Sequence, residues 1–276
     1  MGEQLAFFFG AWDLFREPTL AGALAGCVLG LMGVWIVLRR MIFLSAALSQ
    51  TAGFGVAVAF FLHTLLDSHA VPHPGLGAAV FTIAAALLLA RRHAGADATL
   101  GMLFLGASAG TLVLSGHVGV ESHDIDSILF GSAVAVLPAQ FRWLLGVSAV
   151  LFVLHVWWWR GFAMVTADPD DARVRGVPVR MLESVLVAGV ALGVATVTWV
   201  LGALTAFAFS VLPGIAALSV ARSLPVALAL AASLGAVAGF GGYLAAFLFD
   251  LPVGACQTLV ALLEVAACAM IARVLR

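Results

Sequence analysis

The stretch FLSAALSQTAGFGVAVAF, Phe43 to Phe60, sets four hydrogen-bonding side chains, Ser45, Ser49, Gln50 and Thr51, inside an otherwise apolar run. Hydroxyls and a carboxamide are neutral, so they can hold or pass a polar solute without the charge of a carboxylate or the basicity of an imidazole. The same groups also serve helix-to-helix hydrogen bonding. Two other segments gather metal-ligand types. LHTLLDSHAVPHPG carries His63, Asp67, His69 and His73, and GHVGVESHDID carries His117, Glu121, His123, Asp124 and Asp126. Neither has the spacing of a rigid metal motif such as HExxH. His69, His73, His123, Asp124 and Asp126 are the candidate ligands, and docking of an external protein or plain loop polarity are the competing uses. Glu264, in TLVALLEVAACAM, is the acid deepest in an apolar run.

The elements that must position these groups follow from composition. The chain has 276 residues, 63% hydrophobic and 10% charged, where a soluble domain carries about 25% charged residues. This chain belongs in lipid, and an ionisable side chain such as Glu264 then points to a partner or a cavity. All basic side chains are Arg, with no Lys, so the phosphate-binding motif GxxxxGK[ST] cannot exist here. A net charge of −1 argues against a nucleic-acid partner. Cys27, Cys256 and Cys268 fall in apolar segments and form no CxxC pair, which reads as packing. The opening MGEQLAFFFGAWDLF lacks the basic start and small-residue cleavage site of a signal peptide.

Apolar runs predict about nine spanning helices. They lie near Leu20–Leu38, Phe43–Leu65, Leu76–Ala90, Thr99–Ser115, Leu137–Trp158, Met181–Leu201, Leu204–Val220, Pro225–Phe249 and Val253–Ile271. Residues 125–136 read as a short helix dipping into the membrane. Residues 1–17 read as an external or interfacial segment, and 18–276 as a single all-helical transmembrane domain. Arg39, Arg40, Arg91, Arg92, Arg160, Arg173, Arg175, Arg180, Arg222, Arg273 and Arg276 then fall on one side, which must be cytoplasmic, with Arg16 and Arg142 outside. The C-terminus is cytoplasmic in this topology.

Gly22, Gly26 and Gly30, with Gly235 and Gly239, recur at four-residue spacing that lets backbones approach closely, within one subunit or against a second copy. Pro213 in SVLPGIAAL predicts a kinked helix, which a membrane tolerates where protein or a wet cavity satisfies the backbone. Asp97 is placed to N-cap the fourth span, and Glu183 lies one turn after Arg180 as its expected partner. In TADPDDARVRGVPVR, Asp168 and Pro169 can open a short helix. Asp170 and Asp171 suit its positive end, and Gly176 with Pro178 ends it. A capped, charged helix between two spans is either a solvated connector or a docking element for a cytoplasmic partner.

Five segments in order resemble one known family. They are VLRRMIFLSAALSQTAGFGVAVAF, ADATLGMLFLGASAGTLVL, DPDDARVRGVPVRMLESVLVAGVAL, GALTAFAFSVLPGIAALSVA and GGYLAAFLFDLPVGACQTLVALL. Together they are similar to the ABC-3 permeases of zinc, manganese and iron importers, over nearly the whole chain after Leu20. The resemblance implies a permease without chemistry of its own, paired with a second permease copy or paralogue in the membrane lipid of the inner membrane. Cytoplasmic ATPase subunits would bind ATP and Mg below it, and an external substrate-binding protein would deliver the substrate. It implies that 168–178 is the coupling helix, with Asp168, Asp170, Asp171, Arg173, Arg175, Gly176 and Pro178 facing the ATPase, Arg173 and Arg175 as its charged contacts. The substrate pathway would run past Ser45, Ala46, Ser49, Gln50, Thr51 and Pro213.

The family's GDALSH reads SAALSQ here, so its Asp falls on Ala46 and its His on Gln50. Both metal donors are absent. Three readings stay open: a divalent metal held or passed by other residues, a metal chelate or small organic solute, and a heterodimer whose other half keeps the donors. An ion-gradient-driven secondary transporter is the rival from another class, and it has no need of the capped helix.

Overall fold

The computed structural model describes residues 2–66, 73–90, 96–117 and 136–274. Its regular elements are helices: α1 (Gly2–Gly10), α2 (Trp12–Leu38), α3 (Ile42–Leu66), α4 (Pro74–Ala90), α5 (Ala96–His117) and α6 (Pro138–Ala167). They continue as α7 (Pro169–Val174), α8 (Val179–Leu201), α9 (Ala203–Val220), α10 (Leu224–Phe249) and α11 (Val253–Val274). Eight of the described helices, all but α1, α4 and α7, are long and apolar enough to cross a bilayer. α4 fills the remaining expected position with 17 residues. It rises about 25 Å, short of the ~30 Å hydrocarbon core, and packs against α3 and α8. The short helix expected within 125–136 lies outside the described residues except for Val136.

The amino-terminal boundary differs from expectation. α2 begins at Trp12 and runs unbroken through Glu17 and Pro18, so residues 12–17 continue into the first span, while Gly2–Gly10 form a helix of their own. Pro18 removes one N–H from the helix ladder, and the next hydroxyl, on Thr19, donates to the Phe15 carbonyl at 2.7 Å. α1 packs against the bundle. Phe8 is fully buried, with its ring stacked on Phe15 and tilted against Phe247, each at 5.2 Å between centroids. Three aromatic rings bury enough apolar area to hold this short helix in place.

The glycine spacing serves packing within one subunit. Gly22, Gly26 and Gly30 of α2 lie against Gly239, Gly235 and Ala231 of α10, and a Cβ at Gly26 would collide with the Gly235 carbonyl. Further along α2, Gly33 meets the backbone of Ser210 and Gly214 on α9. Without a hydrophobic drive between helices in lipid, such backbone contact is what holds them. Around this seam, Leu29, Met32, Leu48, Val190, Val194 and Phe209 form the main core. A second cluster at the other end of α2 joins Trp35 to Phe162, Val179 and Leu182, and seats Ala172 of α7.

Candidate functional site

α3 enters the bundle after a sharp turn in which Arg40 takes φ +56° and the Met41 N–H donates to the Ile36 carbonyl at 2.8 Å. Gln50 lies two turns further on, about 12 Å along the helix axis. Ala46, Ser49 and Gln50 line a cavity of about 360 Å³ together with Phe104, Ser108 and Leu112 of α5 and Ala203, Leu204 and Phe207 of α9. Ser49 donates its hydroxyl proton to the Ala46 carbonyl at 2.9 Å, which leaves its lone pairs free. Ser108 Oγ lies 3.1 Å from Gln50 Oε1 and 2.8 Å from the Phe104 carbonyl. The polar part of this wall is therefore two hydroxyls and one carboxamide, with no charged group.

The other expected pathway residues sit elsewhere. Ser45 and Ser210 are hydrogen-bonded hydroxyl to hydroxyl in the interior, tying α3 to α9. Thr51 is buried and donates to the Ala47 carbonyl at 2.7 Å. Pro213 packs toward Gly30 of α2 and is absent from the cavity lining. α9 stays helical through it, from Ala203 to Val220. The backbone irregularity is instead at Gly202, whose φ of +99° separates α8 from α9 beside the lining residue Ala203. A left-handed φ of this kind requires glycine, and a lone glycine in an apolar run gave little sign of it.

At the other end of the molecule, α7 has the predicted cap. Asp168 Oδ1 accepts from the N–H groups of Asp170 at 2.9 Å and Asp171 at 3.1 Å, Pro169 opens the helix, and Gly176 ends it at φ +77°. Arg173 pairs with Asp170 at 2.5 Å and Arg175 with Asp171 at 2.7 Å. Both arginines are exposed, so water screens these pairs and the guanidinium groups can exchange to an outside carboxylate. Arg173, Pro178, Val179, Arg180 and Met181 line an open groove of about 510 Å³ beside α7. Glu183 pairs with Arg39 at 2.5 Å, not with Arg180 as its spacing implied. The end of α2 supplies the cation instead.

Among the remaining candidates, His69, His123, Asp124 and Asp126 lie outside the described residues, as does the side chain of Asp97. His73 is exposed, with its ring edge-on to Trp199 at 4.7 Å. No group of three or more His, Cys, Asp or Glu among the described residues is arranged to hold a metal. Glu264 has both carboxyl oxygens shielded and without a hydrogen-bond partner among the described residues. Sequence reasoning passed over Ser108, which reads in GASAG as one more small residue. It also passed over His155 of α6, buried against Phe162 with Nδ1 at 2.8 Å from the Leu151 carbonyl.

The profile of one family, described as the ABC 3 transport family, matches residues 11–272. The chain belongs to the ABC 3 transport family. This ABC 3 chain is 27% identical to the manganese transport system membrane protein MntC of Halalkalibacterium halodurans, over 94% of this chain and 88% of that protein. It is 26% identical to the chelated iron transport system membrane protein YfeD of Yersinia pestis, over 91% of this chain and 82% of that protein. The structure of PsaBC from Streptococcus pneumoniae in complex with Fab superposes on it with a TM-score of 0.85 at 24% identity, covering 97% of this chain and 95% of the other. That likeness establishes the all-helical ABC 3 fold. As an ABC 3 chain it is a membrane permease subunit of an ABC transporter, in which ATP hydrolysis belongs to a separate subunit. Ala46 and Gln50, where the resemblance sets the family's Asp and His, both line the one cavity between α3, α5 and α9.

Proposed function

We propose that this chain is one half of a dimeric membrane core that imports a divalent transition metal, manganese or iron, as the ion or as a chelate. The cavity carries the reading: it sits part-way along three spanning helices and offers only neutral oxygen and amide groups between apolar walls. A transported solute must enter such a site and leave it again, and a site without carboxylate, thiolate or imidazole donors binds a divalent ion weakly enough to release it. The manganese and chelated-iron relatives supply the substrate class.

In this reading α7 docks in a cytoplasmic ATPase, which binds ATP and Mg²⁺. Its motion reaches the membrane through Ala172, seated among Trp35, Phe162 and Leu182. The Arg39–Glu183 pair supports the orientation, because it joins the end of α2 to the start of α8 at the same side as α7. That side holds Arg160, Arg173, Arg175, Arg180 and Arg222, as a cytoplasmic surface should, and the C-terminus follows α11 to it. An external binding protein and a second permease, identical or paralogous, complete the assembly.

The test is ATP-dependent uptake of Mn²⁺ and Fe²⁺ into membrane vesicles holding the permease together with its ATPase. Accumulation that needs ATP and the ATPase supports the proposal. Accumulation driven by a proton or sodium gradient without the ATPase would make the chain a secondary transporter instead.

A further inference from the structure

The outward face of α6 carries a cation at the end of an apolar strip. Val150, Val153 and Trp157 are 60%, 62% and 80% exposed. Arg160 follows them on the same face, because steps of three and four residues bring helical side chains into line. Arg142 and Trp143 mark the other end of the helix, and the 13 residues between Trp143 and Trp157 include no Asp, Glu, Arg or Lys. Arg142 and Arg160 lie about 27 Å apart along the axis, close to the ~30 Å of a bilayer's hydrocarbon core. This face therefore crosses the apolar layer and meets the headgroups at Trp157, Trp158, Trp159 and Arg160, an interfacial aromatic belt.

Arg160 is exposed, and its guanidinium carbon stands 5.5 Å from the centroid of the Trp159 ring. Stacking occupies a face of the guanidinium plane and leaves open its N–H edge, the edge that matches two phosphate oxygens. Among the described residues no carboxylate takes that edge. The acids at this end of the molecule are engaged already: Asp170 with Arg173, Asp171 with Arg175 and Glu183 with Arg39. Asp168 caps α7.

We infer that this face binds an anionic phospholipid: the Arg160 guanidinium takes the headgroup phosphate, the indoles sit at headgroup level, and an acyl chain lies along Trp157, Val153 and Val150. A phospholipid brings both halves of the complement at once, an anion at the depth of Arg160 and hydrocarbon beside the valines. A second copy of the chain offers no free acid at this level among the described residues. On the side read above as cytoplasmic, anionic lipids are also the ones that attract arginine to the membrane surface. Beyond Arg160, α6 runs on for about two turns to its end at Ala167, and its Phe162 and Val165 belong to the cluster that seats Ala172 of α7. A lipid held at Arg160 fixes the depth of the segment from which α7 hangs. The inference does not depend on which solute is transported.

The experiment is native mass spectrometry of the permease–ATPase complex, titrated in detergent with phosphatidylglycerol or with phosphatidylcholine of the same acyl chains. The native complex should bind phosphatidylglycerol the more tightly. Arg160→Gln should weaken phosphatidylglycerol binding about fivefold, the worth of one arginine at a membrane surface, with ATPase capture and the melting temperature in lipid-free detergent unchanged. Arg160→Lys, which keeps the charge, should keep most of the affinity. Trp157→Ala should loosen both lipids alike, because it removes the wall and leaves the charge. Arg16→Gln is the control, since Arg16 is exposed at the other end of the bundle and lies 3.6 Å from Asp13, and it should change nothing. Equal affinity for the two lipids in the native complex, an unchanged affinity in Arg160→Gln, or as large a loss in Arg16→Gln overturns the site. Uptake is not the readout, so such a failure leaves the transport reading standing.

Discussion

Arg39 and Glu183 stand 144 residues apart and meet in an ion pair, guanidinium Nη2 to carboxylate Oε1. The pair joins the last turn of α2 to the first turn of α8, directly beside the turn through Arg40 that launches α3. It is half-buried, with side-chain exposures of 17% and 36%, so solvent screens it only in part. Glu183→Gln should lower the unfolding free energy by about 1 kcal/mol, read as a lower melting temperature in detergent. Reversal of both charges, Arg39→Glu with Glu183→Arg, should recover most of the loss. Equal melting of single and double variants would show that the pair contributes nothing.

The cap of α7 is open to a separate test. Asp168→Ala removes the acceptor of two helix N–H groups and should destabilise this six-residue helix by about 1 kcal/mol. Because the helix is short and exposed, the bundle should melt normally. The expected loss is in capture of the ATPase subunit on purification of the tagged chain, with Asp168→Asn close to the native level.

Gly176 ends that helix at φ +77°, where a side chain costs about 1–2 kcal/mol. Gly176→Ala should leave the fold intact and uncouple ATP hydrolysis from transport, and Pro178→Ala should act in the same direction through the free chain. Vesicle uptake measured beside phosphate release checks it. Normal transport in both variants would remove α7 as the coupling element.

Gly26 and Gly146 make a paired prediction about packing. A Cβ at Gly26 would strike the Gly235 carbonyl, whereas one at Gly146 meets nothing within 4 Å. Gly26→Ala should cost about 1–3 kcal/mol by overpacking, with a reduced yield of folded protein. Gly146→Ala should be neutral or gain up to about 1 kcal/mol in helix propensity. The difference in melting temperature between the two variants is the measurement.

Ala46→Asp with Gln50→His puts a carboxylate and an imidazole one turn apart on the cavity wall, where i and i+4 side chains meet. The double variant should retain a divalent metal in stoichiometric amount through purification, and should slow its release and hence its transport. Elemental analysis of the purified chain decides it. No retained metal would mean that a carboxylate and an imidazole on this wall do not suffice to hold a divalent ion.

The helices were legible in the sequence because long apolar runs admit few other structures in lipid, and the ends of α7 because Asp168-Pro169 and Gly176 carry local geometry. Half of the candidate wall was legible too, since Ser49 and Gln50 stand out as polar in an apolar helix. Ser108 did not, because a serine among alanines and glycines looks like packing until the helix that faces it is known. Arg39–Glu183 was hidden for a related reason: the local partner at one turn, Arg180, is visible in sequence, and a partner 144 residues away is not. Pro213 misled in the opposite direction. Proline marks a lost hydrogen bond, but the bond was lost within a packed α2–α9 contact, while the actual break fell at Gly202.

α5, which supplies Phe104, Ser108 and Leu112 to the cavity, packs among the described residues on α3 and only thinly on α4. α2 and α10, by contrast, touch backbone to backbone along their glycines. The subunit therefore has a stiff beam at one side and a leaf hung on a single edge at the other. If the solute passes this cavity as proposed, compliance is concentrated beside its path, and a force applied at α7 would swing α5 against α3 before it bent the beam.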